Sequence, residues 1–206
     1  MKRFYITAVP LDSNFAIQRQ LALPVNYKTR TPPRPAYFPI LPILEDTARP
    51  GDELRVVAVR QTNAPHSENL EILRRELEQT GLPFTLTDLT VPETQQKNAL
   101  LDLFEALCGC MEPNACYYAC VTFGTKTWPL VLSSALRYAE KLLEGVEIKG
   151  VYYREITRQE GRQTGAAQYD VSALFTLDSI IDLAAEAGVA DRRAFLRLLL
   201  HPDEEA

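Results

Sequence analysis

Long apolar runs are absent from this chain of 206 residues. None approaches the about 20 residues that a membrane-spanning helix requires. The opening stretch MKRFYITAVP has two basic residues but no extended apolar region and no small-residue cleavage signal. It reads as a first strand, not a secretory leader, and the expected location is cytoplasmic. Positive charge is in the minority: 22 Lys and Arg against 27 Asp and Glu, a net charge of −5. That balance gives no general attraction to long nucleic acid or to an anionic membrane, although a local cluster of donors can still hold a small anion. The four cysteines, Cys108, Cys110, Cys116 and Cys120, contain no CxxC pair. On a strand, Cys116 and Cys120 stand roughly 13 Å apart, too far to share one ion, so no metal is expected. Disulfides are not expected in a reducing compartment. Neither a Walker A loop nor GxGxxG occurs, so no cofactor has motif support and none is expected.

Strand and helix signals alternate along the chain. Strands are expected at RFYITAVP (3–10), ELRVVAVR (53–60), PFTLTDLTV (83–91), ACYYACVTF and IKGVYYREI (148–156), with AQYDVS as a short edge strand. Apolar spacing predicts helices at 67–80, 93–108 and 128–144, then two more at 176–187 and 191–200. The near-continuous apolar strands are those of a buried parallel sheet. The expected fold is α/β, a Rossmann-like, mostly parallel sheet with helices on both faces. It is expected to fill residues 1–190, followed by a C-terminal helix and acidic tail at 191–206. Residues 11–50 break the rhythm. Seven prolines there, from Pro24 to Pro50, argue against a long regular helix. The segment reads as an extended insertion packed on the surface or on a partner subunit, although YFPILPIL is too apolar to float free.

The stretch CVTFGTKTWP, residues 120–129, carries the most chemistry. Ligands of open parallel sheets bind beyond the carboxyl ends of the strands, near the switch point. Gly124 permits a turn and a close backbone approach. Thr127 is a reasonable N-cap, with Pro129 in the first helical turn. Free helix N–H groups, the hydroxyls of Thr122, Thr125 and Thr127, and Lys126 would together hold an anion. The same residues also read as an ordinary helix cap. Two further exits face the same crevice: Pro10, Asp12, Ser13 and Asn14 after the first strand, and Arg60, Thr62 and Asn63 after the second. Their side chains suit a base or ribose, and equally suit turns. His66 reads as a surface residue, and no general base is evident.

Thr122, Gly124, Lys126 and Pro129 resemble a signature of the CARF proteins, the CRISPR-associated Rossmann-fold sensors. One branch of that family carries Asp, an apolar residue, Thr, any residue, Gly, any residue, Arg or Lys, and Pro three positions on. Cys120 stands where the family has Asp. VVAVRQTNAPHSENLEILRREL, GVYYREI and YDVSALFTLDSIIDLA add diffuse similarity over most of residues 1–190. The resemblance implies a homodimer that binds cyclic oligoadenylate, tetra-adenylate above the other ring sizes, across its two-fold axis. A phosphate would then meet Lys126, Thr125 and backbone N–H groups. Bases and riboses would meet Ser13, Asn14, Thr62 and Asn63, with Pro10, Asp12, Arg60, Phe123, Gly124 and Thr127 around them.

No effector domain is evident, since Arg60 and His66 fall in a loop and Arg197 and His201 are too close for an RNase pair. The chain is therefore expected to be a sensor, the sensing part of a longer protein, or a ring nuclease. In the last case a ribose 2′-hydroxyl would attack its own phosphate, with Lys126 stabilising the developing charge and Thr125 assisting. A Rossmann-like nucleotide or metabolite enzyme is the alternative from another class. A DNA-binding module is disfavoured by the short C-terminal helix and acidic tail.

Overall fold

The computed structural model describes residues 1–10, 19–62, 64–159 and 162–200. The chain divides into two compact units, Met1–Asp170 and Val171–Ala206. The first holds β1 (Lys2–Ala8), β2 (Ala22–Pro24), α1 (Ile40–Thr47), β3 (Glu53–Gln61), α2 (Ala64–Gln79), β4 (Phe84–Val91), α3 (Lys97–Gly109), β5 (Ala115–Cys120), α4 (Trp128–Leu142), β6 (Glu147–Gln159) and β7 (Arg162–Asp170). The second holds α5 (Ser172–Glu186) and α6 (Arg192–Leu200), with Gly188 in the left-handed region at φ +61° just after α5. Among the described residues, no helix is long and apolar enough to cross a membrane.

The sheet has seven strands in the order β2-β7-β6-β5-β1-β3-β4. β4, β3, β1, β5 and β6 are mutually parallel, β7 returns antiparallel to β6, and β2 lies parallel to β7. This is the doubly wound, Rossmann-like α/β arrangement, with the strand order reversing between β1 and β5. Alternation along each strand splits the core into two layers. Tyr5 stacks on Tyr118 and Phe4 on Tyr117, at centroid separations of 5.1 Å and 4.8 Å. The Tyr5 layer packs against Ile40, Leu41, Ile43 and Leu44 of α1 and Leu70, Leu73 and Leu77 of α2. On the opposite side α3 and α4 bury Leu103, Leu107, Leu132 and Leu136.

The proline-rich insertion is not a surface arm. It supplies β2, an edge strand, and α1, a crossover helix whose apolar side chains are buried in the core. Pro42 is the third residue of α1, where the backbone N–H would have no intrahelical acceptor, so the ring removes no hydrogen bond there. β7 is nine residues long and pairs with β6 on one side and β2 on the other. It is therefore an interior strand and not a short edge.

Candidate functional site

β1 and β5 end side by side at the switch point. Val9 N–H donates to Val59 O at 2.8 Å, and Val121 N–H donates to Tyr152 O at 2.9 Å. The regular strand β5 stops at Cys120, three residues earlier than its apolar run suggests, because Thr122 turns its hydroxyl into the sheet. Thr122 Oγ1 accepts from Arg154 N–H at 2.7 Å and from the Cys120 thiol at 3.3 Å. Beyond it Phe123 packs edge-on against Phe38, with ring centroids 5.8 Å apart. Gly124 then takes φ +102°. A Cβ there would lie 3.0 Å from Ala8 Cβ and 3.0 Å from Trp128 Cγ, so the site needs glycine for both its dihedral and its space.

Thr127 occupies the N-cap of α4 with Pro129 in the first turn, but its hydroxyl makes no capping bond. Instead Thr127 Oγ1 donates to Gln95 Oε1. A hydroxyl has one proton, so between Thr125 and Thr127, whose oxygens are 2.9 Å apart, it is Thr125 that donates. The expected row of free helix N–H groups is also missing. Trp128 N–H donates to Thr125 O, while the Leu130 and Val131 N–H groups both donate to Thr127 O. Pro129 has no N–H to offer. The available donors are those of the loop itself: among the described residues no acceptor partners the amides of Gly124, Thr125 or Lys126. Lys126 is exposed and has no ion-pair partner among the described residues.

The other expected residues divide four ways. Asp12, Ser13, Asn14 and Asn63 lie outside the described residues. Pro10 is buried, with its carbonyl accepting from Asn69 Nδ2 at 3.3 Å. Thr62 is exposed just past β3. Arg60 is no free cation. Its Nε and Nη2 meet the two oxygens of Asp88 at 2.8 Å each, a bidentate pair, and its Nη1 reaches Ser67 Oγ at 3.3 Å. That partner holds the Arg60 guanidinium proton more firmly than usual.

A cleft of about 40 Å³ opens between the exits of β1, β3 and β4 and the first turns of α3. Its lining includes Gln61, Thr94, Gln95, Gly124, Thr125 and Trp128. That volume accommodates only a few water molecules.

No family model and no curated protein matches the sequence. The site must therefore be read from its own geometry. Two groups of residues join it that the sequence did not single out. One is Gln95, on the β4–α3 connection. The other is Arg154 and Glu76, which hold the segment at 36–38 from opposite sides. Arg154 Nη1 donates to Ala36 O at 2.9 Å and Tyr37 O at 3.4 Å. Glu76 accepts the N–H groups of Tyr37 and Phe38 at 3.0–3.1 Å. The readable sign of Arg154 is parity: it shares the inward side of β6 with Tyr152, where a charge is out of pattern. The thiols are free, with Cys116 and Cys120 buried. Burial pushes the Cys120 thiol upward, away from the reactive thiolate.

Proposed function

We propose that the chain is a CARF-type sensor that binds cyclic oligoadenylate, two copies presenting the same crevice to one ring. One observation carries the reading. Thr122, Gly124, Lys126 and Pro129 fall on the passage from β5 into α4 at the switch point, with Lys126 exposed beside the unpartnered loop amides. Lys126 and those amides would take a ring phosphate by charge-assisted hydrogen bonds. Thr125 has a different part, because its proton is committed to Thr127. It would accept a hydrogen bond, as from a ribose 2′-hydroxyl. Gln95 at the cleft mouth would meet the base edge. Thr122 and Phe123 shape the loop from below.

The test is titration of the protein with cyclic tri-, tetra- and hexa-adenylate, following both binding and the appearance of linear products. Binding to a dimer supports the sensor reading, and linear products would make it a ring nuclease. Lys126→Ala should weaken binding about 10- to 100-fold for each lysine–phosphate hydrogen bond it removes. Unchanged affinity in that variant, or preference for NAD, flavin or ATP over every ring, overturns the proposal.

A further inference from the structure

Arg154 lies on the α1–α2 side of β6 and is only 2% exposed. Its guanidinium is half used. Nη1 holds the carbonyls of Ala36 and Tyr37. Nε and Nη2 are buried and have no hydrogen-bond acceptor among the described residues. Those two nitrogens are not a random remainder. They form one edge of the guanidinium plane, with two parallel N–H bonds spaced to match two oxygens of one oxyanion.

No described residue supplies that oxyanion. Glu76, 1% exposed, acts on Arg154 through its charge. Its oxygens are taken by the amides of Tyr37 and Phe38, and Arg19 Nε approaches to 3.5 Å. Gln168, directly across the ladder on β7, spends its Nε2 on Pro39 O at 3.1 Å. Burial loosens the arginine's hold on its proton, against the opposing influence of Cys120, Glu76 and Tyr27. The ordinary value is so high that the group stays a cation at neutral pH. A second orphan hangs on the same point of the backbone. Gln20 Oε1 is buried and unpartnered, and Gln20 N–H donates at 3.2 Å to the Ala36 carbonyl that Arg154 also holds. A carboxamide turned end for end presents a donor in place of that acceptor.

We propose that Arg154 is the anchor of a second anion site, on the α1–α2 side of the switch point, whose Nε/Nη2 edge receives a phosphate-type oxyanion. A buried cation with one edge unpaired is disfavoured, and an oxyanion that fits the edge removes the penalty on binding. The site is separate from the Lys126 loop but tied to it. Arg154 N–H is fastened to Thr122, and the segment that Arg154 holds ends in Phe38, which packs on Phe123. Because the guanidinium is enclosed, the anion enters when its cover shifts, and occupancy is then linked to the conformation of the Gly124 loop.

The experiment uses the full chain with inorganic phosphate as probe, acetate as a second oxyanion and cyclic tri-, tetra- and hexa-adenylate in separate arms. Thermal unfolding and calorimetry are the readouts. The expected result is a saturable rise in Tm with phosphate in a Lys126→Ala background, lost when Arg154→Met is added to that background. Arg154→Lys keeps the charge without the paired edge and should bind phosphate about 10- to 100-fold more weakly. It carries the same decision should Arg154→Met fail to fold. No saturable phosphate response, or one that survives loss of the guanidinium, overturns the site, and an equal response to acetate overturns the phosphate assignment. Phosphate binding through Arg154 without binding of any cyclic oligoadenylate, tri-, tetra- or hexa-adenylate, leaves this site standing and removes the messenger reading.

Discussion

Gly124 is the position at which a single atom decides the strand exit. Its φ of +102° and the 3.0 Å approach of Ala8 Cβ and Trp128 Cγ leave no place for a methyl group. Gly124→Ala should cost roughly 1–3 kcal/mol, read as a lower urea midpoint, because the new Cβ meets both a strained dihedral and buried side chains. An unchanged midpoint would show that the turn tolerates a side chain. Gly124 was legible in the sequence because its demand on the backbone is local. The same was not true of Arg154, Glu76 and Gln95. Arg154 bonds Ala36 across 118 positions, Glu76 bonds Phe38 across 38, and Gln95 bonds Thr127 across 32. Such partners are set by topology, which no short window contains. The helix N-terminus was misread for the opposite reason. Its residue types were right, but the turn carbonyls of Thr125 and Thr127 consume the donors that a capping pattern leaves open.

α1 is the element that the surface-arm reading of residues 11–50 leaves out. Eight residues long, with Pro42 in its first turn, it forms because its apolar side chains are buried in the core, not because its propensity is high. What fixes the chain just ahead of it is Glu76 of α2, whose carboxylate accepts the amides of Tyr37 and Phe38. Glu76→Gln replaces charge-assisted acceptors with a single neutral one and leaves a buried amide facing other amides. Stability should fall by roughly 1–3 kcal/mol. Amide hydrogen exchange should accelerate first at residues 37 and 38, and acceleration confined to α2 would contradict this role. Strands and their order of appearance were readable from apolar periodicity. The lengths of β5 and β7 were not, since a hydroxyl latch shortens one and a cross-sheet partner extends the other.

For the molecule as a whole, the core is rich in enclosed tyrosine, and this sets an alkaline limit. Burial pushes Tyr27 and Tyr117 from the ordinary 10.0 up to about 12, and raises Tyr5 and Tyr152 through the same cause. The folded state therefore keeps phenolic protons that the unfolded chain releases. The tyrosine contribution to stability is fully present below pH 10 and should decline as the pH climbs from 10 toward 12. The urea midpoint should drop across that interval, with phenolate absorbance rising together with unfolding. Phenolate absorbance from Tyr5, Tyr117 or Tyr152 in a chain still folded would contradict their enclosure.

The pairing of β2 with β7 has a consequence for biosynthesis. Asn26 exchanges hydrogen bonds with Asp170, 144 positions away, and Ala22–Pro24 finds its ladder partner only in the returning strand. A ribosome delivers the amino-terminal half long before that docking surface exists. Residues 22–26 must wait, unpaired with their ladder partner, until the hairpin emerges. Nascent chains halted before it would expose an unpaired strand to chaperones, and a segment made early finds its partner only late in synthesis.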